Sequence, residues 1–217
     1  MTTRNGYIPA LGYDALTRFY DPLIRWFLRE TTFKNALIEQ AQIATRHRVL
    51  DVGCGTGTLT LMAKRAAPAA EVIGIDGDPK ILAIARAKAG HEAVQFDEGL
   101  ATALPYPDAS FDRILTSLVL HHLTTADKER AFAEMLRVLR PGGELHIADW
   151  AKPVGIFART VFGAVRWLDG PTTRDNAEGR IPGMVAAAGF VDVTETRTWQ
   201  TIGGTLALLK GRKPERA

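Results

Sequence analysis

Residues 49–57, reading VLDVGCGTG, constrain this chain more than any other stretch, because a short apolar run leads directly into three closely spaced glycines. Val49, Leu50 and Val52 suit a strand buried on both faces, and Gly53, Gly55 and Gly57 permit positive φ and let backbone N–H groups approach a ligand. Glycine turns of this kind also join strands to helices that bind nothing, so the spacing has to be read closely. The dinucleotide fingerprint is G-x-G-x-x-G, with the helix N-terminus facing a pyrophosphate, whereas here the glycines follow G-x-G-x-G. Asp51 stands at the strand end just before the turn, where a carboxylate repels a diphosphate and attracts an ammonium or sulfonium group. Both features argue against a nicotinamide dinucleotide and for a cationic ligand.

With those residues in view, VLDVGCGTG resembles the first motif of class I S-adenosylmethionine-dependent methyltransferases. Three later stretches extend the likeness in order. VIGIDGDP (72–79) resembles the second strand, which ends in an acid, Asp76, that in Rossmann-type folds accepts from ribose hydroxyls. GLATALPYPDASFD (99–112) is similar to the GDAxxLPFxxxxFD segment of the ubiquinone/menaquinone methyltransferase-like group, and LRVLRPGGEL (136–145) resembles that group's helix, tight turn and fifth strand. The resemblance covers residues from about 48 to 149. It implies S-adenosyl-L-methionine as cofactor, held by Asp51, Gly53, Cys54, Gly55, Asp76, Gly77, Leu100, Ala101, Ser117 and Tyr20. Leu100 departs from the pattern, since an aspartate there accepts from the adenine amino group; Asp97 or Glu98 offers a substitute acid, and the backbone of Ala101 a donor to the ring. Cys54 reads as a small filler in the turn.

The alternation of elements predicts an α/β fold, a doubly wound, mostly parallel seven-stranded sheet with N-terminal helices and a helical lid after the fifth strand. The chain divides as one methyltransferase domain: a helical cap (1–47), a cofactor-binding core (48–150), a lid insertion (151–182) and a closing helix and strands (183–210). Two short helices are expected within 13–30, broken at Asp21 and Pro22, and a third over 33–44. Further helices are expected over 58–67, 79–89 and 126–139, and strands over 93–96, 113–116, 144–148, 191–198 and 205–210. Residues 155–168 carry a helical apolar stripe, and GPTTRDNAEGRIP (170–182) reads as a polar loop, with Arg174 and Arg180 available to an anionic group.

Little side-chain chemistry is needed when the methyl already sits on a sulfonium, so positioning, exclusion of water and removal of one proton are the protein's tasks. After the fourth strand the chain reads SLVLHHL, and of its adjacent histidines His121 is expected to face substrate as general base while His122 is structural. Asp149 either points to the same rim or caps the segment beside it. No metal is expected: Asp149, Asp175 and Asn176 resemble part of a magnesium-binding acid-acid-amide set, but Ser117 and Leu118 stand where the third acid belongs. The asparagine-proline-proline-aromatic signature of enzymes that methylate amino groups of bases or glutamine is absent.

Composition is that of an ordinary soluble globular protein: 217 residues, 46% hydrophobic, 24% charged, net charge +3 and one cysteine. There is no run of lysine and arginine to imply nucleic acid, no disulfide framework, and no signal core or membrane span, so the cytoplasm is the expected compartment. No obligate protein partner is implied. Leu16, Phe19, Leu23 and Phe27, with Phe157, Val161 and Val165, offer an apolar surface suited to a hydrophobic small-molecule or lipid-like acceptor, and Arg25, Trp26 and Arg29 suit contact with a membrane surface. Tyr13 is a further candidate for contact with cofactor or substrate. The alternatives are a phospholipid head-group N-methyltransferase, an NAD(P)-dependent oxidoreductase and a protein that binds S-adenosylmethionine without turnover.

Overall fold

A computed structural model of the chain describes residues 30–153, 170–201 and 204–215. In chain order the elements are α1 (Glu30–Ala41), β1 (Arg48–Val52), α2 (Thr58–Ala66), β2 (Glu71–Asp76), α3 (Pro79–Ala89), β3 (Gln95–Glu98) and β4 (Phe111–Ser117). A single 3-10 turn (Leu120–His122) precedes α4 (Thr125–Val138) and β5 (Leu139–Trp150). A second 3-10 turn (Gly170–Thr173), α5 (Arg174–Ala177), α6 (Ile181–Ala187), β6 (Val191–Thr201) and β7 (Gly204–Arg212) complete the order.

Strand β1 lies in the middle of the sheet because it is apolar on both faces. It pairs in parallel with β2 (Val49↔Val72, Asp51↔Gly74) and with β4 (Asp51↔Leu115). The seven strands run in the order β3-β2-β1-β4-β5-β7-β6, with β7 antiparallel to both β5 and β6. The predicted mostly parallel sheet is therefore observed. The order reverses between β1 and β4, which opens a crevice at their carboxyl ends, where open α/β sheets bind ligands.

Side chains alternate across the sheet into two cores. Val49, Val72, Leu115 and Ala148 meet Phe33 and Leu37 of α1 and Leu59 of α2 on one face. Leu50, Val52, Ile73, Ile114 and Leu145 meet Phe132 and Met135 of α4 and Val185 of α6 on the other. Leu37 has no exposed surface, and truncating such a residue to alanine costs about 2–5 kcal/mol. Helix α3 begins as its sequence dictates, with the Asp78 carboxylate accepting from the Lys80 N–H at 2.8 Å and Pro79 in the first turn.

Several expected boundaries move. Helix α1 ends at Ala41 rather than 44, because Gln42 adopts a left-handed φ of +44°. Strand β3 begins at Gln95, opposite Ile73, two residues later than its apolar residues suggest. Strand β5 begins at Leu139, directly after α4; Pro141, Gly142 and Gly143 form an irregularity within the ladder instead of a separate turn. Residues 170–177, read as loop, form the second 3-10 turn and α5. The helices expected within 13–30 and 155–168 lie outside the described residues. Among the described residues no helix is long and apolar enough to cross a membrane.

Candidate functional site

At the end of β1 the backbone turns through Gly53 at φ +71° and Gly55 at φ +53°. A Cβ on Gly53 would stand 2.4 Å from Cγ2 of Val119, so this glycine lets the loop after β4 press against the turn. Gly55 is different: among the described residues nothing lies within 4 Å of the place its Cβ would occupy. Its N–H donates to Oδ2 of Asp76 at 2.9 Å, and the N–H of Asp78 donates to Oδ1 at 3.0 Å. Burial pushes the Asp76 carboxyl above the usual carboxylate range, and the N–H groups of Gly55, Asp78 and Gly77 oppose that shift. The result is a carboxylate fixed at the end of β2 beside that glycine.

Asp51, the last polar group on β1, is 1% exposed. The hydroxyl of Thr60, on the first turn of α2, donates to its Oδ2 at 2.7 Å. Burial raises this carboxyl to about 6, against the opposing pull of the Thr60 bond and of the Lys34 ammonium on α1. Lys34 is itself paired with Glu30. A buried carboxyl poised near neutrality stabilises a cation brought beside it more than an exposed carboxylate does, because little water screens the interaction.

The other side of the crevice is built around Asp149, at the end of β5 and 4% exposed. Its Oδ2 accepts from the N–H groups of Val119 at 3.0 Å and Leu120 at 2.8 Å. Its Oδ1 lies 2.9 Å from Nδ1 of His121 and accepts from the Trp150 N–H at 2.7 Å and the Asn176 amide at 3.3 Å. Burial pushes the Asp149 carboxyl up, but the His121 charge and these hydrogen bonds outweigh it and the net shift is downward. The carboxylate thus holds the β4–α4 loop in a shape the chain resists locally, since Leu118 carries φ +57°. Ser117, the last residue of β4, has a buried hydroxyl with no hydrogen-bond partner among the described residues. His121 is 8% exposed; its neighbour His122 is exposed, yet lost hydration and then the His121 charge depress it to about 4.

Comparison with known proteins joins these features. Residues 49–143 match the family described as methyltransferase domain. The chain is 34% identical to a demethylmenaquinone methyltransferase of Thermus thermophilus, over 93% of this chain and 96% of the relative. It is 32% identical to a ubiquinone/menaquinone biosynthesis C-methyltransferase of Saccharophagus degradans, over 84% of this chain and 81% of the relative. The chain belongs to the class I S-adenosylmethionine-dependent methyltransferases of the ubiquinone/menaquinone type. In fold, the methyltransferase is similar to the YcgJ protein of Bacillus subtilis, with TM-score 0.67, 23% identity, and coverage of 84% of this chain and 98% of the other. It is also similar to a phosphoethanolamine N-methyltransferase of Haemonchus contortus, solved with S-adenosylhomocysteine, with TM-score 0.70, 16% identity, and coverage of 84% and 52%.

The methyltransferase brings Asp51, Gly53, Gly55, Asp76 and Gly77 together at the ends of β1 and β2, with Ser117 closing β4 and His121 in the turn after it. The Cys54 side chain packs with Leu61, Leu82 and Phe96, and burial pushes its thiol far up. Leu100 is 40% exposed in the turn after β3, where the Gly99 N–H donates to the Asp76 carbonyl, and Ala101 follows it. The Asp97 carboxylate accepts from the Tyr106 hydroxyl and the Gln95 amide. Arg174 and Arg180, both exposed, pair with Glu178 on their own segment. Asp149 and Asp175 face different partners, backbone N–H groups for the first and Lys128 for the second. Tyr13, Tyr20, Arg25, Trp26, Phe157, Val161 and Val165 lie outside the described residues. Two clefts of about 290 and 500 Å³ between α1 and β6 include none of the crevice residues.

Two contributors escape a reading of the sequence, and a third is read there in another role. Thr60 supports Asp51 from nine residues away, a spacing that no local pattern marks. Val119 fills the space that Gly53 leaves. Asn176, which the sequence places only in an incomplete acid-acid-amide set, donates to both Asp149 and the Trp150 carbonyl, the latter at 2.9 Å.

Proposed function

We propose that this methyltransferase methylates a ring carbon of a hydrophobic quinone-type acceptor, in its reduced hydroxylated form, with His121 as the general base. The observation that carries the acceptor class is the end-to-end likeness to a demethylmenaquinone methyltransferase, across nearly all of both chains. The residues present suit the cofactor. Asp76 accepts from the ribose hydroxyls, the backbone of residues 53–55 passes the methionine portion, and Gly77 lets the chain pass close to the ribose. Asp51 draws the positive groups, the Ser117 hydroxyl finds its missing partner on the ligand, and Leu100 packs on the adenine while Ala101 offers its N–H. The open Cβ position of Gly55 and the buried Ser117 hydroxyl, unpartnered among the described residues, support this reading. When bound, S-adenosylmethionine supplies an electrophilic methyl group whose leaving sulfur departs as a neutral thioether.

Deprotonating a ring hydroxyl raises the nucleophilicity of the adjacent ring carbon, and a histidine is suited to take that proton near neutral pH. The whole chain acts as one domain, in the cytoplasm and in contact with the membrane surface where such an acceptor resides. No metal takes part. The test is transfer of label from radioactive S-adenosylmethionine to a prenylated naphthoquinol, beside vesicles of phosphatidylethanolamine. Label on a ring carbon of the naphthoquinol is the expected result. Label on the amine head group alone moves the enzyme to N-methylation, and label on neither with the cofactor bound leaves a binding protein without turnover.

A further inference from the structure

His121 and Asp149 form a buried dyad whose geometry says more than that a histidine is nearby. Asp149 accepts from four donors, the Val119, Leu120 and Trp150 N–H groups and the Asn176 amide, and its Oδ1 also lies 2.9 Å from Nδ1 of His121. A carboxylate surrounded in this way is ionised and can only accept, so the hydrogen between it and His121 belongs to Nδ1. The imidazole is further confined by the His122 ring, 4.0 Å away between centroids, and by the Trp150 indole at 6.3 Å in an edge arrangement. Asn176 holds the carboxylate in turn, with its amide shared between Asp149 and the Trp150 carbonyl.

We propose that Asp149, steadied by Asn176, is a positioning residue that fixes His121 in the tautomer protonated at Nδ1 and so leaves Nε2 as the proton acceptor for methyl transfer. This rests on the reading of His121 as the base and adds how the base is prepared. The proton of the acceptor's ring hydroxyl passes to Nε2, and the electron pair of that O–H bond enters the ring. The ring carbon forms its bond to the methyl as the methyl–sulfur bond breaks with its pair left on sulfur, and the hydrogen on that carbon then passes to water to restore the aromatic ring. The imidazolium formed is stabilised by the Asp149 carboxylate until its proton returns to the ring oxygen, which regains its hydroxyl, so that one proton in all is released. A carboxylate that merely capped the Val119 and Leu120 N–H groups would have no effect on which ring nitrogen carries the hydrogen.

Two readouts together test this: the 15N–1H spectrum of the histidine side chains in the folded, unliganded enzyme, and steady-state kinetics with a prenylated naphthoquinol. His121, assigned by the signal missing from His121→Asn, is expected to carry its proton on Nδ1. His121→Asn retains a side-chain donor toward Asp149 but no base, and kcat is expected to fall about 10²–10⁴-fold. Asp149→Asn is expected to disturb the tautomer and lower kcat at least about tenfold, with KM for cofactor and acceptor unchanged within about twofold. If Asp149→Asn does not fold, Asn176→Ala takes its place, with a smaller fall in kcat and the same unchanged KM. A wild-type proton on Nε2 overturns the proposal outright. Full activity in His121→Asn overturns the base assignment, and the positioning role falls with it. Loss of activity in His121→Asn together with undiminished kcat in an Asp149 or Asn176 variant whose tautomer is disturbed leaves the base in place and refutes the positioning role alone.

Discussion

The backbone N–H of Gly55 donates to the carboxylate of Asp76 across the gap between the first two strands, at 2.9 Å. This bond links the glycine turn to the acid at the next strand end, so the backbone that passes the ligand and the carboxylate proposed for its ribose are positioned together. Replacing Asp76 with alanine removes both roles. The expected loss in S-adenosylmethionine affinity is roughly 1.5–3 kcal/mol, the range for hydrogen bonds to a charged group, read by calorimetry on a variant that stays folded. Unchanged affinity would show that the ribose is held elsewhere.

The glycines of the turn separate packing from ligand space. Gly53→Ala combines φ +71° with a methyl 2.4 Å from Val119, and about 1–3 kcal/mol of stability is expected to be lost. Gly55→Ala meets no neighbour within 4 Å among the described residues, so its structural cost is the left-handed backbone alone, about 1–2 kcal/mol. Its methyl instead projects into the open side of the turn. Denaturation and ligand titration on the pair distinguish the two: Gly55→Ala should lose more affinity than stability, Gly53→Ala the reverse.

How much of this the sequence discloses depends on whether the information is local. The strand, the turn and the two acids Asp51 and Asp76 sit within residues 49–76, and there apolar periodicity and glycine spacing suffice. Asp149 is harder, because its donors come from residues 119–121, 150 and 176 and only the fold makes them neighbours. Lys128 shows the same limit from the other direction. It stands on the apolar stripe of α4 with Ala131, Phe132 and Met135, and its place on that stripe is the one hint that a lysine has been buried. The misplaced start of β5 has a plain cause: Pro141, Gly142 and Gly143 are turn residues by composition, but they sit at a register shift opposite Phe111 and Arg113, where a bulge accepts them.

Lys128 has no exposed surface and donates to the Leu123 carbonyl at 2.9 Å, the Thr172 carbonyl at 2.6 Å and Asp175 at 3.2 Å. It thereby joins the loop after β4 to the second 3-10 turn and to α5. Lys128→Met leaves two carbonyls without their donor and the buried Asp175 with Thr125 and the more distant Arg180, 3.8 Å away, as partners, and about 3–5 kcal/mol of stability is expected to go. Adding Asp175→Leu removes the carboxylate that has lost its nearer cation and should restore part of that loss. Urea denaturation of the single and double variants checks both statements, and a double variant no more stable than Lys128→Met would show that the carbonyls, not the ion pair, dominate.

Asp51 makes ligand binding depend on pH with a definite sign. Its carboxyl is raised from an ordinary 3.8 to about 6, so the fold holds that proton more tightly than the unfolded chain does. The stability this contributes is complete below the unfolded value and is lost as pH rises through about 6; two pH units correspond to roughly 3 kcal/mol at most. A cationic ligand beside Asp51 requires the carboxylate, so below about pH 6 binding must expel a proton, and affinity for S-adenosylmethionine is expected to fall about tenfold for each further pH unit. Calorimetry in two buffers of different ionisation enthalpy would record the released proton directly. Asp76 is also raised, which makes Asp51→Asn the necessary control. That variant should be at least as stable as the parent at neutral pH and bind the cofactor more weakly, with most of the acid dependence gone. Affinity in the parent that stays level from about pH 7 to 5 would mean that the buried carboxyl does not sense the ligand's charge, and that its bond to Thr60 is its whole purpose.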